Sequence, residues 1–490
     1  MDIFKYLLKG ANVKKRRCCI HKTSPVVIVI ALLVVIVTPT TFQPSLATAD
    51  YTATTTDDIP DDQFFKMPLL SNQSTSTVAD KTNVTLKAIL VTIPNDQGIG
   101  NWNHTLQAAL NELNRRHPDM NIQIEYAEPY GEYRNSILDT LSNGYPVDII
   151  SVDQIWLGEF AEKGLLNNLT SDFEQWGRID DFYEANLDGL VYNNTIYGLW
   201  LWTDVRGIWY WKDMLQEAGV DPESLKTWNG YISAAMKLKD FFGDRVIQGV
   251  HLIGAPHDRD LWYPYLWMLG GEILELREGH PTKGVYWFPS YNSSEGLEAM
   301  EFLKRQVDAG IEPQNRQLEK AFTNRNFSVM LGGSWMPGEF PKESWPTLEQ
   351  QVGFIPMFPV PNQTIPTSTM MGGWELAIPS TSQHSDLAWE LITIMASPQI
   401  LGPFLQQYGY LPTQRELGDG PSSGPLKESI PYFEEMISMI PYGRSRPNIP
   451  EYPEIAEHIT QAIQQVFNGT ATPKEALDMA AAKSAKSLGW

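Results

Sequence analysis

The sequence predicts an α/β protein in two lobes, each a mostly parallel sheet flanked by helices. Three observations predict it. From Val84 onward, β-rich stretches alternate with stretches of helical spacing, the pattern of parallel strands with crossover helices. The chain has 490 residues, 42% of them hydrophobic, enough for two or more domains. The stretch T-M-M-G-G-W-E-L-A-I-P-S (369–380) sets two glycines, free to bend or to approach a ligand, beside a tryptophan with a broad flat face. It reads as a crossing between lobes with Trp374 facing a ligand, although a buried tryptophan after a plain turn fits the same letters.

Val84–Ile93 is a strand, and His104–His117 a helix with Leu106, Leu110 and Leu113 on one face, stopped by Pro118. Asn121–Tyr126 is a strand, Tyr133–Leu141 a helix closed by Asn143-Gly144, and Val147–Val152 a third strand. That strand runs into Asp153 and Trp156, and in open α/β sheets ligands bind beyond the carboxyl ends of strands. A carboxylate accepts from two hydroxyls at once, and an indole face suits the C–H face of a sugar ring. The same pair also fits a helix N-cap and a buried helical tryptophan. Further on, Tyr197–Trp202, Gly249–Ile253, Phe327–Gly332 and Trp374–Ile378 are strand-like. Helices are expected over 262–269, 294–309, 433–439, 455–467 and 473–485.

There are 37 Lys+Arg and 58 Asp+Glu, a net charge of −21. The first 49 residues hold seven of the bases and one acid, leaving −27 on the remainder, which lacks the basic face that nucleic acid requires. Both cysteines, Cys18 and Cys19, lie in that basic segment, so the body has no disulfide or thiolate metal site. Lys14-Lys15-Arg16-Arg17, the apolar run Pro25–Val37 and Ala47-Thr48-Ala49 form a signal peptide over 1–49, with an uncleaved anchor as the alternative. Residues 50–82, rich in Thr, Ser and Asp, read as a disordered linker. Nine Asn-x-Ser/Thr sequons (Asn72, Asn83, Asn103, Asn168, Asn193, Asn292, Asn326, Asn362, Asn468) exceed the chance number and point to a glycosylated surface protein.

The stretches P-V-D-I-I-S-V-D (146–153), F-A-E-K-G-L-L (160–166), Y-G-L-W-L-W-T-D-V-R-G-I-W-Y-W-K-D (197–213), M-L-G-G-S-W-M-P-G (330–338), G-G-W-E-L-A-I-P (372–379) and Y-G-Y-L-P-T (408–413) occur in one order. In that order they resemble the family-1 extracellular solute-binding proteins of ABC importers, the group of maltose- and trehalose-binding proteins. The resemblance spans about 84–485 and implies a two-lobed periplasmic-binding-protein fold of type II kind. It places the crossings near 199–204, 370–374 and 409–414, with lobe I over 83–201 and 375–410 and lobe II over 202–374 and 411–490. It also implies a monomer that binds a small carbohydrate, needs no cofactor or metal, and delivers its ligand to membrane permease subunits from the outer face of the cell.

The resemblance implies the site residues as well. Asp204 matches a carboxylate that takes sugar hydroxyls, with Trp202 at a neighbouring aromatic position. Trp335 matches a stacking tryptophan in a G-x-W turn, and Trp262 an aromatic on a cleft helix. Gly372 and Gly373 become the second crossing and Trp374 a cleft wall. Arg444, in P-Y-G-R-S-R-P-N-I-P, offers a fixed fork of donors, and the loop 94–103 with Asp96 and Trp102 is expected nearby. His257-Asp258-Arg259-Asp260 reads as a polar helix-capping loop, and Lys212 and Asp213 as helix-start residues. A secreted hydrolase is the rival reading, since Asp153 and Asp204 are two carboxylates; a tethered sugar sensor is another. No H-E-x-x-H occurs, Gly332-Gly333-Ser334-Trp335-Met336 lacks the final glycine of a nucleophile elbow, and no G-x-G-x-x-G follows the first strand to support an enzyme.

Overall fold

The structure is a computed structural model that describes residues 81–91, 102–127, 133–243, 258–311, 318–356 and 367–490. The expected signal peptide, nearly all of the linker, the strand 249–253 and most of the loop 94–103 lie outside the described residues. The first sheet is built from β1 (Thr82–Ile89), β2 (Met120–Ala127) and β3 (Ile149–Asp153), with α1 (Asn103–Arg116) and α2 (Tyr133–Ser142) as crossovers. β1 pairs in parallel with β2 from Thr82↔Met120 to Ile89↔Ala127, and with β3 through Ala88↔Ile149. All five residues of β3 are buried. Ile150 and Val152 pack with Ile137, Leu141 and Phe160, the last from α3 (Gln154–Glu162), in one apolar cluster. Leu106, Leu110 and Leu113 are buried along α1, the face that the leucine spacing predicted.

Two more strands join this sheet from far along the chain. The first is β4 (Gly198–Trp200), followed after Leu201 by β5 (Trp202–Thr203) and β6 (Arg206–Trp211). The order of the first sheet is β2-β1-β3, then strand Trp374–Ala377, then β4. Trp374–Ala377 runs antiparallel to both neighbours, opposing Trp374 to Asp153 and Glu375 to Trp200. Four of the five strands therefore share one direction.

The second sheet sets β6 between β7 (Val329–Gly333) and β8 (Val352–Pro356), and both pairings are antiparallel. This departs from the parallel sheet expected for that lobe among the described residues. Every residue of β6 is buried. Rings of β6 and β8 pack over each other's glycines: a Cβ on Gly207 would meet the Phe354 ring at 2.2 Å, and one on Gly353 the Tyr210 ring at 2.0 Å. Glycine inside these strands is the space an aromatic side chain occupies.

The three expected crossings lie side by side. β9 (Thr369–Met370) leads to Gly372-Gly373 and then to β10, the strand Trp374–Ala377 named above. β11 (Leu411–Pro412) pairs antiparallel with β5. Thr203 Oγ1 donates to the Gly372 carbonyl at 3.1 Å, and Thr413 Oγ1 donates to the Trp200 carbonyl. Gly373 has φ +138°, and a Cβ there would lie 2.4 Å from Trp200 Nε1. Only glycine takes that backbone conformation without strain and lets the indole this close.

Candidate functional site

A cavity of about 510 Å³ opens where these crossings meet. That is within the ordinary size of a small-molecule site. Seven of the ten expected residues line it: Asp153, Trp202, Asp204, Trp335, Gly372, Gly373 and Trp374. The lining also includes Arg206, Asp260, Glu339, Tyr410 and Arg446.

Asp153 does two things at once. It caps α3, its Oδ1 accepting from the Ile155 amide at 3.3 Å, and the same oxygen accepts from Arg446 Nη2 at 2.8 Å. Arg446 is 4% exposed and also reaches Asp260, 3.5 Å away on the helix Asp258–Met268. Burial works against the Arg446 charge, but the carboxylates of Asp153 and Asp260 outweigh it and hold its pKa above the ordinary value. Arg446 is thus a fixed cation braced by two acids.

Asp204 pairs with Arg206, and its Oδ1 also accepts from the Gly372 amide at 3.1 Å. The Arg206 guanidinium lies 4.5 Å from the centre of the Trp335 ring, a cation–π contact. Trp335 folds back on the G-G-S-W turn so closely that a Cβ on Gly333 would sit 1.9 Å from the ring. The turn needs its glycine because the tryptophan lies flat against it.

Trp202 and Tyr410 stack at 5.7 Å and 14° to make another aromatic wall. Trp102 packs behind Trp202 at 5.4 Å and is buried, a support for the wall and not part of the lining. Trp374 is half-buried, 4.8 Å from Tyr133 and 5.6 Å from Trp156. Behind it on the same strand, Glu375 is fully buried, and neither carboxylate oxygen has a hydrogen-bond partner among the described residues. Burial, then the negative charge of Asp153, push its pKa well above the carboxylate range, against the pull of Arg446.

Three expected residues lie elsewhere. Arg444 pairs with Glu272 at 2.6 Å and covers the Trp267 ring at 4.9 Å, so its fork is spent outside the cavity. Arg446, two positions on, takes the place expected of it. Trp262 is fully buried against Tyr263 and Tyr291, while Asp260 earlier on that helix faces the cavity. Trp156 stacks on Tyr133 and edges Trp374 without reaching the lining. The expected loop at 257–260 therefore contributes a site carboxylate that a capping role did not foresee. Tyr410 sat in the expected third crossing, and its ring was the overlooked signal there. Lys212 starts a helix and Asp213 pairs with exposed Arg325, as expected of helix-start residues.

The lining carries four carboxylates (Asp153, Asp204, Asp260, Glu339) and two guanidinium groups (Arg206, Arg446), a formal −2. Both arginines are already bound to acids. The cavity therefore offers hydrogen-bond acceptors and donors between flat aromatic walls, and no excess positive charge for an anion.

The model of the family described as bacterial extracellular solute-binding protein matches residues 100–400. The chain belongs to that family. Among relatives in the family, a binding protein of Brucella abortus is 24% identical over 383 residues, covering 75% of this chain and 85% of the relative. An arabinooligosaccharide-binding protein of Bacillus subtilis is 25% identical over 293 residues, 57% of this chain and 63% of the relative. A solved ABC transporter solute-binding protein from Thermotoga lettingae, bound with α-D-tagatose, superposes with a TM-score of 0.66 at 23% identity, over 84% of this chain and 100% of the other. That likeness establishes the two-lobed periplasmic-binding-protein fold. The family and these relatives are described as binding proteins.

Proposed function

We propose that this solute-binding protein holds a small neutral carbohydrate, a disaccharide or short oligosaccharide, between its lobes and delivers it to the membrane permease subunits of an ABC importer. The observation that carries the reading is the pairing of flat aromatic walls (Trp335, Trp374, and Trp202 with Tyr410) with arginine-tied carboxylates in one 510 Å³ cavity. A sugar has C–H faces for the first and hydroxyls for the second. Lobe I covers 83–201 and 375–410, lobe II 202–374 and 411–490, and Gly372-Gly373 is part of the hinge. Ligand contacts come from Asp153, Trp202, Asp204, Gly372, Gly373, Trp335 and Trp374, joined by Arg206, Tyr410 and Arg446. Binding shifts an open–closed population instead of driving chemistry. The protein acts as a monomer without cofactor, exported by the leader 1–49 to the outer face of the cell membrane, either secreted or tethered through the linker 50–82.

Calorimetry and thermal shift against a panel of mono-, di- and oligosaccharides test this. A sugar that raises Tm and binds with 1:1 stoichiometry is expected. A panel in which an amino acid, a polyamine or a phosphate ester binds and no sugar does would overturn it.

A further inference from the structure

The nine sequons were left unused by the site, against roughly three or four expected by chance in a chain of this length. The structure describes seven of them, and four differ clearly in access. At Asn468-Gly469-Thr470 all three residues are exposed, in the turn between the helices Tyr452–Phe467 and Pro473–Ser487, where Gly469 has φ +66°. At Asn193-Asn194-Thr195 both asparagines are exposed at the tip of the hairpin that pairs Val191↔Ile196, with φ of 48° and 60°. No hydrogen bond among the described residues engages the Asn193 or Asn468 side-chain amide. Asn103 differs: it begins α1 half-buried, its Oδ1 accepts from the Tyr126 hydroxyl at 2.7 Å, and Thr105 is buried. Asn326 is exposed, but Phe327 and Ser328 behind it are both 0% exposed, so the hydroxyl that completes the sequon is inaccessible.

We propose that the exported chain is N-glycosylated after folding at Asn193 and Asn468, and is left unmodified at Asn103 and Asn326. A transferase acting on a folded substrate must reach both the amide and the hydroxyl two residues on, and protruding turns give that access where strands and helix starts do not. In the step, Asn Nδ2 forms a bond to C1 of a glycan while C1 breaks from the phosphate oxygen of a lipid-linked oligosaccharide donor. The lipid phosphate leaves with the electron pair, and Nδ2 gives up one proton to a base of the transferase. Neither acceptor lines the cavity, so the glycans leave the solute site open. The proposal requires export but not any particular solute.

Glycopeptide mass spectrometry on protein purified from its own cells tests it. Glycan mass increments are expected on the peptides carrying Asn193 and Asn468, each abolished by its own variant, Thr195→Val or Thr470→Val. The peptides carrying Asn103 and Asn326 are expected at their unmodified mass. An unmodified Asn193 or Asn468 overturns the assignment. Occupancy of Asn103 or Asn326 equal to theirs overturns the folded-state selection.

Discussion

Arg446 Nη2 donates to Asp153 Oδ1 at 2.8 Å across 293 positions of sequence. The bond ties the C-terminal end of β3, in the first sheet, to a loop near the far end of the chain. Asp260 braces the same guanidinium at 3.5 Å, and all three side chains are buried. Removing the cation leaves two acids buried without their partner. Arg446→Met is expected to destabilise the protein by about 3–5 kcal/mol and to abolish solute binding. Arg444→Ala breaks a half-exposed pair with Glu272 and the contact with the Trp267 ring, and should cost about 1 kcal/mol with affinity unchanged. Denaturant melts and calorimetry on the two variants check this; equal losses of binding from both would reverse the assignment of Arg446 over Arg444.

Trp335 is half-buried and backed by Arg206, so its removal opens the cavity wall without emptying a core. Trp335→Ala should lose more than about 1 kcal/mol of solute affinity while Tm moves little. Affinity equal to the wild type, measured by calorimetry, removes Trp335 from the site.

Glu375 sets a pH dependence. Burial and Asp153 raise its folded pKa, so the folded chain holds this proton more tightly than the unfolded chain does. Its contribution to stability is fully present below the unfolded carboxylate pKa and is lost as pH rises through the folded value. Glu375→Gln keeps the shape and has no proton to lose. Its Tm should match the wild type near about pH 4 and exceed it at about pH 9. A Tm difference independent of pH would show that Glu375 is not the group responsible.

Gly373 stands at φ +138° with Trp200 Nε1 2.4 Å from where a Cβ would be. Gly373→Ala is expected to cost about 1–3 kcal/mol and to weaken solute binding through the displaced Trp374. The check is a paired melt and titration; a variant as stable as the wild type would mean that the crossing accommodates a side chain.

Periodicity in the sequence was enough for β1–α1–β2–α2–β3, because each element buries a face through spacing along its own few residues. Motif order was enough for the family, and local backbone chemistry for the glycines of the crossing and the G-G-S-W turn. Seven residues of the cavity lining were legible because each sits beside such a glycine, a crossing or a strand end, marks that a linear reading can see. Arg444 is the residue expected from the sequence, yet nothing local separates it from Arg446, two positions on in one irregular loop; the fold chose Arg446. That choice was made by Asp153 and Asp260 on one side and Glu272 on the other, residues over a hundred positions away that only the packed chain brings within bonding distance. The same holds for Asp260 over Trp262 on one helix, and for the antiparallel course of the second sheet. Ion pairing, register and the face a side chain presents depend on neighbours distant in sequence, and the tertiary structure alone supplied those neighbours.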